Sequence, residues 1–138
     1  METFEKLKTY FESARGRGVL ATADSEGRVD AAMYSRPHFM EDETVALIMR
    51  DRLTHLNMQS NPYAVYLFME DGPAYKGKRL FLRKLREEKD TDLLYELRRR
   101  AHGDEKDPND PRFLVFFKVE KVLPLVGVGE EPVGEPKG

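Results

Sequence analysis

Two arginines, Arg50 and Arg52, stand where the apolar run Val45 to Met49 breaks off, and Thr54 follows them at the opening of a short helical stretch. Those residue types in that order suit an anion. The free N–H groups of a helix's first turn point outward, the helix dipole favours negative charge there, and guanidinium adds forked, charge-assisted hydrogen bonds. The spacing predicts a phosphate seat. Asp51 has the wrong charge for a ligand contact and is expected to cap the helix through its side chain, turned away from the anion. Asn61-Pro62 closes the helix, because the residue before proline leaves the α region and proline offers no donor.

A second polar group, Tyr34-Ser35-Arg36-Pro37-His38, reads as a strand end with a rigid exit. His38, His55 and His102 are too scattered for a metal motif, and no carboxylate pair joins them at ligand spacing. His55 is expected on the surface of its helix. The chain has no cysteine, which excludes disulfides, thiolate metal sites and cysteine nucleophiles and fits a reducing cytoplasm. It also lacks a nucleophile elbow and a Walker-type loop, so no catalytic residue is assigned. Lys76, Lys78, Arg79, Arg83, Lys84 and Arg86 form a basic run, but Glu87, Glu88 and Asp90 follow and cancel much of its field. That run is expected to be a solvated strand.

The elements that would position these groups are mostly strands. Phe4, Leu7, Phe11 and Ala14 share one face of an amphipathic helix over 3–14. Val19 to Ala23 turns through Asp24-Ser25-Glu26-Gly27 into Arg28 to Ser35, a hairpin. Strands are expected at Thr44–Met49, Tyr63–Met69, across 75–86 with Leu80 and Leu82 inward, and at Phe113–Val119. Leu93, Leu94, Leu97 and Ala101 predict a second long helix over 90–102, with Arg98-Arg99-Arg100 in its last turns and Gly103 as its stop. A polar loop over 104–111 is expected to be mobile.

With 138 residues the chain is expected to form one domain over 1–126, followed by a Gly- and Pro-rich tail over 127–138. Its net charge of −2 gives no general attraction to nucleic acid or anionic lipid. The charged opening, Met1 to Lys6, lacks the apolar core of a signal peptide, and no run approaches the roughly 20 apolar residues of a membrane span. Short-spaced strands with inserted helices favour a mainly β architecture, a small six-stranded antiparallel barrel.

The order of these parts resembles the FMN-binding split barrels related to pyridoxamine 5′-phosphate oxidase. The similarity runs from about Gly18 to Val119. It rests on Gly18-Val-Leu-Ala-Thr, the strand ending in Tyr34-Ser35-Arg36-Pro37, Val45–Met49 with its basic turn, Asn61-Pro62, and the Phe-rich last strand. The resemblance implies a homodimeric split barrel with FMN in a cleft lined by both subunits. It places Arg50, Arg52, Leu53 and Thr54 at the phosphate and Tyr34, Ser35 and Arg36 beside the ring, where Arg36 would offset charge on reduction. Leu53-Thr54 stand where the oxidase has an Arg-Lys pair, and its C-terminal motif for pyridoxine phosphate has no counterpart after Leu123. Pyridoxamine phosphate is therefore not the expected substrate. The implied activity is that of a small flavin oxidoreductase with a small-molecule electron donor and acceptor. The alternatives are a carrier or sensor, a cofactor-free dimeric module, or haem or deazaflavin in place of FMN.

Overall fold

Thr3 opens helix α1 (Phe4–Ser13) by accepting the Lys6 N–H on its hydroxyl at 3.2 Å, and Leu7 and Phe11 form its buried stripe. Each of those side chains contributes about 1.5–3 kcal/mol by leaving water. In this computed structural model residues 3–102 and 109–127 are described, without the side chains of 99–102. The loop over 103–108 and all but the first residue of the expected tail therefore lie outside the described residues.

Among the described residues seven strands follow: β1 (Gly16–Ala23), β2 (Val29–Tyr34), β3 (His38–Phe39), β4 (Thr44–Arg50), β5 (Tyr63–Glu70), β6 (Gly77–Lys89) and β7 (Arg112–Pro124). Helix α2 (Leu53–Ser60) joins β4 to β5, and α3 (Asp92–His102) joins β6 to β7. The strands form one sheet in the order β2-β1-β5-β6-β7-β4-β3, antiparallel at every pairing. Six strands were expected. The additional one, β3, is only two residues long, too short for alternation to reveal it in sequence.

The sheet curls. Leu20 of β1 shares a core with Val45, Leu47 and Met49 of β4, although three strands separate them in the sheet order, and Leu7 and Phe11 of α1 plug the same interior. A second core lies on the outer face, where Leu94, Tyr95 and Leu97 of α3 cover Ala46, Leu114 and Phe116. Strands β4 and β7 are thus buried on both sides, the physical reason that Val45–Met49 and Phe113–Phe117 read as unbroken apolar runs.

Two local devices set the geometry around α2. Gly27 adopts φ +83° in the β1–β2 turn, where Asp24 Oδ1 accepts the N–H groups of Glu26 and Arg28 at 2.9 and 3.0 Å. That hairpin holds α2 in place: the buried Asn57 amide donates to Thr22 Oγ1 at 3.1 Å, and Asn61 Nδ2 donates to Asp24 O at 3.3 Å. On the other side, β6 pairs Lys84 with Phe117 and Arg86 with Phe116, leaving Leu85 as a bulge. The extra residue breaks the two-residue alternation. Lys84 and Glu87, three apart, consequently share a face, and Lys84 Nζ donates to Glu87 Oε1 at 2.7 Å.

Candidate cofactor cleft

A cleft of about 830 Å³ opens between the C-terminal end of β2, the basic turn after β4, the start of β7 and helices α1 and α3. Its size lies within the range of small-molecule sites. Tyr34, Ser35 and Arg36 line it from one side and Arg50, Arg52 and Thr54 from another, so residues up to 20 positions apart in sequence share one wall system. Leu53 does not line it and is 54% exposed.

The turn departs from expectation in detail. Arg52, not Asp51, is the N-cap of α2, at φ −134° with no side-chain cap hydrogen bond, because the Arg52 N–H already turns back to Arg50 O at 2.9 Å. Among the described residues no side chain caps the donors of the helix's first turn. Arg52 donates through Nη1 to Asp51 O at 3.0 Å, and no carboxylate pairs with its guanidinium among the described hydrogen bonds and ion pairs. Arg50 is committed: its Nη2 lies 2.8 Å from Asp110 Oδ2. The described end of the loop expected to be mobile is thus fixed by Asp110.

Arg36 has a structural duty as well as a place on the cleft wall. Its Nη1 donates to Phe11 O at 2.9 Å and Ala14 O at 2.7 Å, satisfying carbonyls at the C-terminal end of α1. Its Nε and Nη2 have no described partner. Burial pushes the Tyr34 phenol above its ordinary range, a hydrogen bond with Thr54 opposes this, and the Asp30 carboxylate adds to it. Tyr34 is therefore a neutral donor at physiological pH. Thr54 is itself buried, with Oγ1 3.4 Å from Asp30 Oδ2.

His55 is not a surface histidine. Its ring stacks on Phe113 with centroids 3.7 Å apart, and Nε2 lies 3.0 Å from Glu87 Oε2. Burial would raise the Glu87 carboxyl, but hydrogen bonds from Gln59, Lys84 and His55 outweigh it and hold the group at about 2. This network fastens α2 to β6. Sequence reasoning missed Asp110, Arg112, Lys8 and Arg98; the last three line the cleft. Arg112 had one legible signal, since it borders an apolar strand as Arg50 does, but the pairing of β4 with β7 spans too many residues to be read locally.

No family model matches the sequence, and no curated protein matches it. Solved structures do. An FMN-binding protein from Syntrophomonas wolfei subsp. wolfei superposes with a TM-score of 0.72 at 16% identity, over 89% of this chain and 86% of that one. A candidate pyridoxamine 5′-phosphate oxidase from Listeria innocua gives 0.63 at 14% identity, over 90% and 98%. HutZ, the haem storage protein from Vibrio cholerae, gives 0.60 at 16% identity, over 89% and 94%. An F420 reductase shares the fold too. The architecture is that of the FMN-binding, pyridoxamine 5′-phosphate oxidase-like split barrels.

Proposed function

We propose that this split-barrel chain binds FMN and serves as a small flavin-dependent oxidoreductase acting on something other than pyridoxamine phosphate. The observation that carries the reading is the convergence of the Tyr34–Arg36 strand end and the Arg50–Thr54 turn on one cleft. The residues fit the group. Arg52, with no carboxylate partner among the described ion pairs, and the uncapped start of α2 suit a phosphate, while Tyr34 and the remaining donors of Arg36 suit the polar edge of an isoalloxazine. The bound flavin would supply hydride and electron transfer. The chain's part is to anchor, orient and shield it.

Strand β2 and helix α2, which give the cleft Met33 and Thr54, also carry apolar groups that face outward. Val29 is 82% exposed, Met33 65% and Leu56 65%. A second copy of the chain covering those groups would complete the cleft, the homodimeric arrangement that the resemblance implies.

The absorption spectrum of the purified protein tests the reading. Flavin bands, followed by steady NADH or NADPH oxidation, support an FMN oxidoreductase; flavin bands without turnover support a carrier. One observation favours a second reading: His38 lines the cleft, a position from which an imidazole would reach a haem iron as axial ligand. A Soret peak lost in His38→Ala would replace flavin with haem. A colourless preparation that ignores added FMN would defeat both.

A further inference from the structure

Arg112 belongs to a different strand from the basic turn, yet it reaches the same cleft. In the antiparallel register of β4 and β7 it stands directly opposite Arg50. Like charges at opposed positions destabilise a sheet. Asp110 resolves the conflict by lying between them, with Oδ2 at 2.8 Å from Arg50 Nη2 and 3.1 Å from Arg112 Nη2, and Oδ1 at 3.3 Å from Arg50 Nε. Arg112 keeps only 18% of its side chain exposed, so its guanidinium needs a counter-ion in place. Arg52 adds a third positive charge within electrostatic reach of the same carboxylate. These three guanidiniums and that of Arg98 on the cleft wall, set against the carboxylates of Asp110 and of Asp90, whose Oδ1 accepts the Arg112 backbone N–H at 3.0 Å, leave two positive charges over, the complement of a phosphate monoester dianion. Asp51, exposed beside them, is screened by solvent.

We propose that Arg50 and Arg112 form a two-arginine oxyanion subsite whose resident occupant is the chain's own Asp110 carboxylate, and that a ligand phosphate binds by taking Asp110's place. The guanidinium fork accepts carboxylate and phosphate oxygens with the same geometry, so the exchange needs no rebuilding of either arginine. Asp110 lies two residues before Arg112, which keeps it at high effective concentration and makes it a competitor that a dianion must outbid. Arg112 becomes a phosphate-binding residue and Asp110 a brake on affinity. The inference rests on the FMN reading for the ligand's identity, but not for the exchange itself.

The test titrates the full chain, Asp110→Asn and Arg112→Gln with FMN and with riboflavin, which lacks the phosphate, and follows melting with added pyrophosphate at matched ionic strength. Asp110→Asn is expected to bind FMN about tenfold more tightly and Arg112→Gln about tenfold more weakly, the size of one charge-assisted hydrogen bond, with riboflavin unchanged in both. A folded Asp110→Asn that binds FMN no better than the parent overturns the exchange. Should that variant fail to fold, undiminished FMN affinity in folded Arg112→Gln overturns the subsite. If the parent binds neither flavin, the cofactor reading fails while pyrophosphate still decides: it must raise the melting temperature of Asp110→Asn more than that of the parent, or, should that variant not fold, raise that of Arg112→Gln less. Equal shifts sink the proposal.

Discussion

Arg50 and Arg112 face each other across the β4–β7 ladder, and their mutual repulsion is relieved by one carboxylate, Asp110, at 2.8 and 3.1 Å. The Arg50 hydrogen bond is the main reason the Asp110 carboxyl sits below its usual range, against the opposing effect of burial. Replacing Asp110 with alanine should lower the melting temperature in dilute buffer, and 1 M inert salt should remove most of the difference. At that salt the Debye length is about 3 Å, shorter than the separation of most charge pairs. A loss independent of salt would mean that Asp110 contributes packing instead of charge.

Arg52→Ala should weaken FMN by about 1.5–3 kcal/mol if the side chain donates to the phosphate, and leave riboflavin affinity unaltered. Fluorescence titration of both flavins against the folded variant checks this. Equal weakening of the two would move Arg52 from the phosphate to the ring.

Burial raises the Glu87 carboxyl, but hydrogen bonds from Gln59, Lys84 and His55 outweigh it and hold the group at about 2 in the folded chain, against an ordinary value of 4.5. A depressed carboxyl contributes stability that is full above about pH 4.5 and is lost as the pH falls toward 2, an amount of about 2–3 kcal/mol. Denaturant unfolding of the parent between pH 6 and 2 should show that loss. Glu87→Gln should be less stable at neutral pH and show a flatter profile over this window.

Gly18 leaves no room for a side chain: a Cβ there would sit 2.0 Å from Tyr66 Oη and 2.3 Å from Cζ. Gly18→Ala should cost about 1–3 kcal/mol by overpacking against a fully buried ring. Tyr66→Phe should not rescue it, because the ring carbon itself is in the way. Recovery in that double variant would show that the backbone of β1 yields instead.

Leu56→Glu and Met33→Glu place charge on the outward apolar groups beside the cleft. If a second copy covers them, each variant should sediment as a monomer while keeping the parent's circular dichroism. A parent that is itself monomeric at all concentrations would remove the partner from the cleft.

Much of the architecture was legible because its signals are local. The alternation in Val19–Ala23, the face formed by Leu93, Leu94 and Leu97, and the Asp24–Gly27 turn each report on a few consecutive residues, and each element is found with bounds shifted by a few positions. The cleft was partly legible: Tyr34, Ser35, Arg36, Arg50, Arg52 and Thr54 do meet. What escaped depends on partners remote in sequence. Asp51 lost its expected capping role to the backbone bond from Arg52 to Arg50, and His55 lost its surface to Phe113, some sixty residues away. Arg112 and Asp110 acquire meaning only once β7 is aligned with β4.

The bulge at Leu85 carries a consequence for how this lineage can vary. Deleting that single residue would restore strict alternation along β6, and the residues beyond it would keep their β7 partners and their faces, because Leu85 is the residue without a partner of its own. Lys84 and Glu87 would then stand two apart and still share the face that meets His55, and Arg86 would stay opposite Phe116, where its guanidinium lies 3.7 Å from the ring centroid. Point substitutions and a one-residue deletion at Leu85 are therefore both tolerable, and length should vary more freely at this position than at the paired residues on either side of it.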